Sequence, residues 1–239
     1  MHISKIEIIN LWGKEKLTLE FPEQVTFLTG VNGCGKSTLL KVIYDALNDS
    51  ISKEGVVAQE HCEHDLKSLV TVISDKQNTI GSGEDISALF ANLLLVDSDL
   101  EQLQASPDYQ DLLKQSHEIK HIVFLLDVYF ASSGKQVTRD EDNKITLKMI
   151  GSDTMITWHR LSRGEKTLLY LFFVVLLYKS KVSVFLFDEP AISMHVKWQH
   201  NLIKDLAELA PDNQFIIATH SPSLVQNSWL GNCLEISVI

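Results

Sequence analysis

The sequence predicts an α/β fold: a mainly parallel sheet with helices on both faces, preceded by an antiparallel β portion and interrupted by a helical insert. Three observations predict it. Short apolar strands alternate with helix-length periodic segments through the second half, the pattern of repeated βα units. One such strand, residues 25–29, runs straight into a glycine-rich loop and then a helical pattern. The opening residues alternate apolar and polar, which suits a strand lying on a core.

Taken in order, residues 3–9 and 16–21 read as a hairpin around Trp12-Gly13-Lys14. The strand at 25–29 is followed by a helix from Ser37 to about Leu47, and further strands are expected at 69–73 and 93–96. Residues 99–131 carry helical apolar spacing at Leu100, Leu103, Leu112, Leu113, Ile119, Val123 and Leu126. They are expected to form a helical insert between the two halves of the sheet. No sustained heptads run through them, so no long coiled-coil arm is expected. Three short strands follow at 136–139, 145–150 and 154–159, with a solvated turn at Asp140-Glu141-Asp142-Asn143. A helix at 164–178, a strand at 183–187, a helix at 194–209, a strand at 214–218 and a last short helix and strand complete the chain. One domain over residues 1–239 is expected.

Bulk properties narrow the function. The chain has 239 residues, 45% hydrophobic and 22% charged, with a formal net charge of −10. An acidic chain is a poor non-specific binder of polyanions, because neutralising phosphates takes clustered Lys and Arg. A local basic patch could still sit on it, so DNA contact stays open. The longest apolar stretch, residues 168–178, falls well short of the roughly 20 residues a membrane helix needs and reads as a buried core helix. No secretory segment opens the chain, and three cysteines, Cys34, Cys62 and Cys233, fit a reducing cytoplasm. His61-Cys62-Glu63-His64 has metal-capable side chains without a second cluster to complete a tetrahedral site, and reads as a loop.

Four segments carry chemistry. Gly30-Val31-Asn32-Gly33-Cys34-Gly35-Lys36-Ser37-Thr38 fits the phosphate-loop pattern G-x-x-x-x-G-K-[ST]. Glycines let consecutive backbone N–H groups, from Asn32 through Gly33, Cys34, Gly35 and Lys36 to Thr38, curl around ATP phosphates at a helix N-terminus. Lys36 would reach the β- and γ-phosphates, and the Ser37 hydroxyl would ligate Mg²⁺. Val184-Phe185-Leu186-Phe187-Asp188-Glu189 is an apolar strand ending in two carboxylates. Asp188 would hold Mg²⁺ through water, and Glu189 would act as general base toward the attacking water. Leu161-Ser162-Arg163-Gly164-Glu165-Lys166 supplies a capping box at the start of an apolar helix; capping alone would explain Ser162 and Glu165, but a capped helix start is also an anion site. Phe215-Ile216-Ile217-Ala218-Thr219-His220 is a further apolar strand with a histidine at its end; a lone histidine there is more often structural, and its place one element after the carboxylate pair is what suggests a role in the site.

These segments resemble the ABC-type ATPases, and within them the branch with SMC, RecF and OLD-like heads. IEIINLWGKEKLTLEF before LTGVNGCGKST looks like the start of such a head. LSRGEK ends in Gly-Glu-Lys where transporter signatures usually end Gly-Gly-Gln, and FDEPAISMHVKWQHNLIKDLAE with FIIATHSP resembles compact AAA-family ATPases of phage-defence systems. The resemblance implies a head-to-tail homodimer with ATP sandwiched between one P-loop and, in trans, Ser162 and Gly164 of the opposing signature helix. Catalysis would then rest on Glu189 and His220, and Ser193 and His195 would lie on the loop crossing the interface. The chain departs from the family's pattern in three places. Trp12 stands where Arg is frequent and could stack near adenine or pack as core. Arg163 replaces a small residue. The Mg²⁺-touching Gln is not identifiable, Gln77 and Gln102 being the candidates.

The leading expectation is therefore an Mg²⁺-dependent ATPase that controls a separately encoded effector, a nuclease or toxin, in anti-phage defence. With few residues left after Pro222, no Toprim-like acidic module is expected in the chain. A DNA-repair head of RecF or SMC type binding DNA directly is the alternative, which the acidic balance disfavours. The ATP-binding subunit of a transporter is disfavoured by the Gly-Glu-Lys ending, and no membrane partner is expected.

Overall fold

The computed structural model describes residues 2–11, 14–22, 24–48, 52–53, 56–63, 66–74, 88–92, 102–114, 116–141, 145–156, 160–182, 184–225 and 229–236. β1 (Ile3–Leu11) and β2 (Lys14–Glu20) form the expected antiparallel hairpin, with Ile6 opposite Leu19 and Ile8 opposite Leu17. β3 (Val25–Thr29) and α1 (Lys36–Asn48) flank the glycine-rich loop. β4 (Ser52–Lys53), β5 (Val56–Glu63) and β6 (Leu66–Ser74) extend the hairpin into an antiparallel sheet of order β2-β1-β6-β5-β4. β5 corrects one expectation: His61, Cys62 and Glu63 lie on a strand paired with β6, not in a loop. Its neighbours' apolar registers recruit it even though its own residues do not alternate. Among the described residues no group of three or more His, Cys, Asp or Glu gathers to hold a metal.

β7 (Ala88–Asn92) precedes the helical insert, whose described helices include α2 (Pro107–Leu112) and α3 (Ser116–Ala131). The strand expected at 93–96 falls outside the described residues. β8 (Lys135–Arg139), β9 (Ile145–Met149) and β10 (Met155–Ile156) form a small antiparallel sheet. The rest alternates as expected: α4 (Arg163–Tyr178), β11 (Val184–Asp188), α5 (Val196–Leu209), β12 (Gln214–Ala218), α6 (Pro222–Val225) and β13 (Cys233–Glu235). Among the described residues no helix is long and apolar enough to cross a membrane. The apolar stretch that raised the question is α4, buried along nearly its whole length.

The central sheet, β13-β3-β12-β11-β7, is parallel throughout. β11 and β12, at its centre, are near-continuous apolar runs because both faces are covered. Alternation sorts the sheet's residues: Phe27, Phe185, Phe187, Phe215 and Ile217 face a core shared with α4 and α5. Leu28, Val184, Leu186, Ile216 and Ala218 face a second core with Leu39, Leu40 and Ile43 of α1 and Ile3, Ile6 and Ile8 of β1. Phe185 stacks on Phe215 with centroids 5.2 Å apart. Each fully buried phenylalanine there contributes about 1.5–3 kcal/mol over leaving it exposed. The two layers fix where the C-terminal ends of β3, β11 and β12 emerge. That edge is the crevice in which open α/β sheets bind ligands.

Candidate functional site

The glycine-rich loop leaves the end of β3 and turns back before α1. Gly33 and Gly35 have φ of +78° and +97°, a conformation side chains rarely tolerate. Gly30 is held by space as well: a Cβ there would lie 2.4 Å from the Ile236 carbonyl oxygen. Asn32 and Gly33 are exposed, Cys34 is tucked beneath the loop, and Thr38 is half-buried on the first turn of α1. The Lys36 ammonium is almost fully buried. It donates to the carbonyls of Gly30 and Val31, each at 3.1 Å, and lies 3.6 Å from Cys34 Sγ.

Ser37 Oγ donates to Asp188 Oδ1 at 2.9 Å across 151 positions of sequence. The loop and the end of β11 are thereby brought together. Asp188 is 5% exposed. Burial pushes its carboxyl above the ordinary range, opposed by the Ser37 hydrogen bond and by Lys36 and His220. A serine hydroxyl beside a carboxylate is the hard-oxygen donor set that Mg²⁺ takes alongside phosphate oxygens, so these residues fit that ion.

Glu189 follows at φ +54°, one of two non-glycine residues with positive φ among the described ones. Such backbone costs about 1–3 kcal/mol and persists where the surroundings enforce it. Here its N–H donates to the Ala218 carbonyl at 2.9 Å, and its Oε2 accepts from the His220 N–H at 3.3 Å. Burial raises its carboxyl too, with the His220 backbone hydrogen bond as the leading opposing influence. The His220 ring spans the site, with Nδ1 3.4 Å from Lys36 Nζ and Nε2 3.4 Å from Glu189 Oε1. A charged lysine can only donate, so Nδ1 accepts and Nε2 carries the proton that faces Glu189.

Ser162 caps α4, accepting from Glu165 N–H at 3.3 Å, while Glu165 Oε2 accepts from Ser162 N–H at 2.8 Å. The capping box expected from the sequence is complete. Glu165 is nearly sealed from solvent, and its other oxygen pairs with Lys135 at the start of β8. Gly164 touches the loop that follows β11. A Cβ on it would lie 2.5 Å from the Ser193 carbonyl oxygen, and Ser193 is the second positive-φ residue, at +64°.

A family model described as "AAA domain, putative AbiEii toxin, Type IV TA system" matches residues 98–226, more than half of the chain. The chain belongs to this AAA family. A second model, "AAA ATPase domain", matches residues 1–87. The chain is similar to "Retron Vc95 probable ATPase" of Vibrio cholerae serotype O1 biovar El Tor, 24% identical over 189 residues, 73% of this chain and 32% of that protein. It is also similar to "Retron Ec83 probable ATPase" of Escherichia coli, 36% identical over 87 residues, 30% of this chain and 16% of that protein. It thus spans a third or less of the length of these curated relatives. Among solved structures, the SMC head bound to the C-terminal winged-helix domain of ScpA superposes with a TM-score of 0.63 at 15% identity, covering 98% of this chain and 94% of that one. The SMC head domain from Thermotoga maritima gives 0.57 at 15% identity, covering 95% and 92%. The fold is that of an SMC head, and the family matches bear out the expected AAA-family ATPase.

Within this AAA domain, Lys36, Ser37, Asp188, Glu189 and His220 form one connected cluster at the sheet's C-terminal edge. Ser162 and Gly164 stand at the start of α4, in contact with Glu165 and with the loop at Ser193. Gln102 lies exposed on a helical turn, and Gln77 and Trp12 lie outside the described residues. Asn92, which ends β7, pairs in register with Asp188. Arg163 opens α4 exposed, its carbonyl accepting from Thr167 Oγ1 at 2.9 Å. Sequence reasoning missed Lys135 and Gln199. Lys135 is 30 positions from Glu165, with no local pattern joining them. Gln199 is a polar residue on the inward side of α5, a signal visible only once the apolar face of that helix is drawn.

Proposed function

We propose that this AAA domain binds and hydrolyses ATP with Mg²⁺ between two copies of itself, and that this cycle governs a separate effector, a nuclease or toxin, in a defence system. The observation that carries the reading is the cluster of Lys36, Ser37, Asp188, Glu189 and His220. It brings a glycine-rich loop, a hard-oxygen pair and a half-buried carboxylate with a histidine partner to one edge.

In this reading the backbone of Asn32 to Thr38 and the start of α1 receive the phosphates, and Lys36 turns from the loop carbonyls to the phosphate oxygens. Ser37 and Asp188 hold Mg²⁺, whose chemistry there is charge neutralisation on the transferring phosphoryl group. Glu189, its carboxyl raised by burial, accepts a proton from the attacking water more readily than an exposed glutamate would. His220 Nε2–H orients it. Ser162 and Gly164 complete the site from the second copy, as the resemblance to ABC-type heads implies. Similarity to two retron ATPases, and to a family whose description names a toxin of a toxin–antitoxin system, supports the defence setting and the expectation of further components.

Glu189→Gln tests the core of the proposal. It keeps shape and loses the base, so phosphate release should fall by about 10² or more while ATP binding survives. In Mg-ATP the variant should elute as a dimer, because nucleotide that is itself interface drives association. Wild-type hydrolysis by Glu189→Gln would remove Glu189 from the role of base, and a fully active, strictly monomeric wild type would remove the dimer.

A further inference from the structure

We propose that Gln199 is a positioning residue that ties the loop following β11 to the histidine strand end, so that both occupy the catalytic geometry together. The proposal rests on the ATPase reading above. Gln199 is 8% exposed and lies on α5, outside the cluster. Its Nε2 donates to the Met194 carbonyl at 3.0 Å and to the Ala191 carbonyl at 3.4 Å. Its Oε1 accepts from Ser221 Oγ at 2.5 Å. Carbonyl oxygens can only accept, so the amide has one orientation: nitrogen toward the loop, oxygen toward Ser221. Ser221 must then be the donor.

The two groups joined in this way matter differently. Ala191 and Met194 bracket Ser193, the residue held at φ +64° whose carbonyl meets Gly164. Ser221 directly follows His220, whose ring bridges Lys36 and Glu189. The Ser221 N–H is also bound to Thr219 Oγ1 at 3.0 Å, so the turn carrying His220 is held on both sides. One buried amide therefore connects the start of α4, through Ser193, to the histidine at the phosphate end. A shift of the loop that carries Ser193 moves Ser221, and with it the His220 ring between Lys36 and Glu189. The amide touches no reacting atom; it acts through His220.

Steady-state hydrolysis by the full chain decides this, with Gln199→Leu, Ser221→Ala, the double variant and Ser221→Thr compared beside Glu189→Gln. Each single loss should lower kcat by about tenfold, the scale expected when a positioned catalytic group is loosened, and leave KM for ATP within about twofold. The double variant should be no slower than the worse single one, since both break the same bond. Ser221→Thr retains the hydroxyl and should recover most of the rate. Should Gln199→Leu fail to fold, Ser221→Ala probes the same bond from its more accessible end. Wild-type kcat in Ser221→Ala, losses that multiply in the double variant, or no recovery with threonine would overturn the role of Gln199. If Glu189→Gln also hydrolyses at the wild-type rate, the ATPase reading has failed instead.

Discussion

Gly164→Ala adds a single methyl group at the closest approach between the start of α4 and the loop after β11. The new Cβ would stand 2.5 Å from the Ser193 carbonyl oxygen and 3.2–3.3 Å from the carbonyl carbon and Met194 Cα, where ordinary contact begins at 3.4 Å. The neighbour is backbone, so the overlap of about 0.9 Å cannot be relieved by a rotamer change, and overpacking of this kind costs about 1–3 kcal/mol. Alanine is the better helix former by up to about 1 kcal/mol, which offsets part of that. The net loss should be about 1–2 kcal/mol, or a Tm lower by several degrees at this chain length, on the scale of 2–4 °C per kcal/mol. Because the loop must move by most of an ångström, hydrolysis should fall by about 10- to 100-fold. ATP affinity of a single copy, set at its own Lys36 loop, should stay unchanged. Thermal melts, phosphate release and calorimetry read the three quantities, with Gly231→Ala as control, since a Cβ there meets nothing within 4 Å. If Gly164→Ala melts and turns over like the wild type, the contact is not rigid. If it melts early yet keeps its rate, Gly164 serves packing alone.

Lys36→Ala removes a charge-assisted contact worth about 1.5–3 kcal/mol and should weaken ATP binding about tenfold or more by calorimetry; unchanged affinity would reject the phosphate-loop assignment. Lys36→Ala and Ser162→Arg spoil different halves of one composite site. Mixing the two inactive variants should restore part of the ATPase activity, and mixtures shown to pair by tagged co-purification yet remaining dead would argue against sharing in trans. Burial raises the Asp188 carboxyl in the folded state, so its ionised form costs stability at neutral pH. Asp188→Asn should accordingly melt above the wild type near pH 7. The gap should close as pH falls to the ordinary carboxylate range, where Asp188 is protonated folded or unfolded; a gap that widens on acidification would contradict the burial argument.

Legibility followed periodicity and local chemistry. β11, β12 and α4 were readable because apolar runs of strand or helix length are bounded by residues that stop them. β5 was not, because Gln59, Glu60 and His61 break the alternation and only pairing with β6 makes it a strand. β7 was not anticipated: five residues ending in a polar Asn92 are too short to show a period, and only pairing with β11 makes Ala88–Asn92 a strand. The cluster was legible where motif and chemistry coincide, at Lys36, Ser37, Asp188, Glu189 and His220. Gly164 was read as a residue facing an anion, and its tight approach to Ser193 is tertiary information. The same holds for the Lys135–Glu165 pair and for Gln199, whose partners are set by how α5 lies on the two loops.

The order of strands in the parallel sheet also sets a timetable for synthesis on the ribosome. β3, which carries the glycine-rich loop, is flanked by β12 and β13 and by no strand made before them. Residues 25–29 therefore emerge early and wait, both edges unpaired, until residues 214–218 and 233–235 have been made. The two sheets are joined late as well, since Ile3 N–H and C=O are both bound by the Gln214 side chain, at 2.8 and 2.9 Å. Contacts of such long sequence separation form slowly and leave an apolar strand open to wrong partners while the chain grows. The glycine-rich loop thus reaches its final setting, with Gly30 and Thr29 against Ile236, only after β13 has been made.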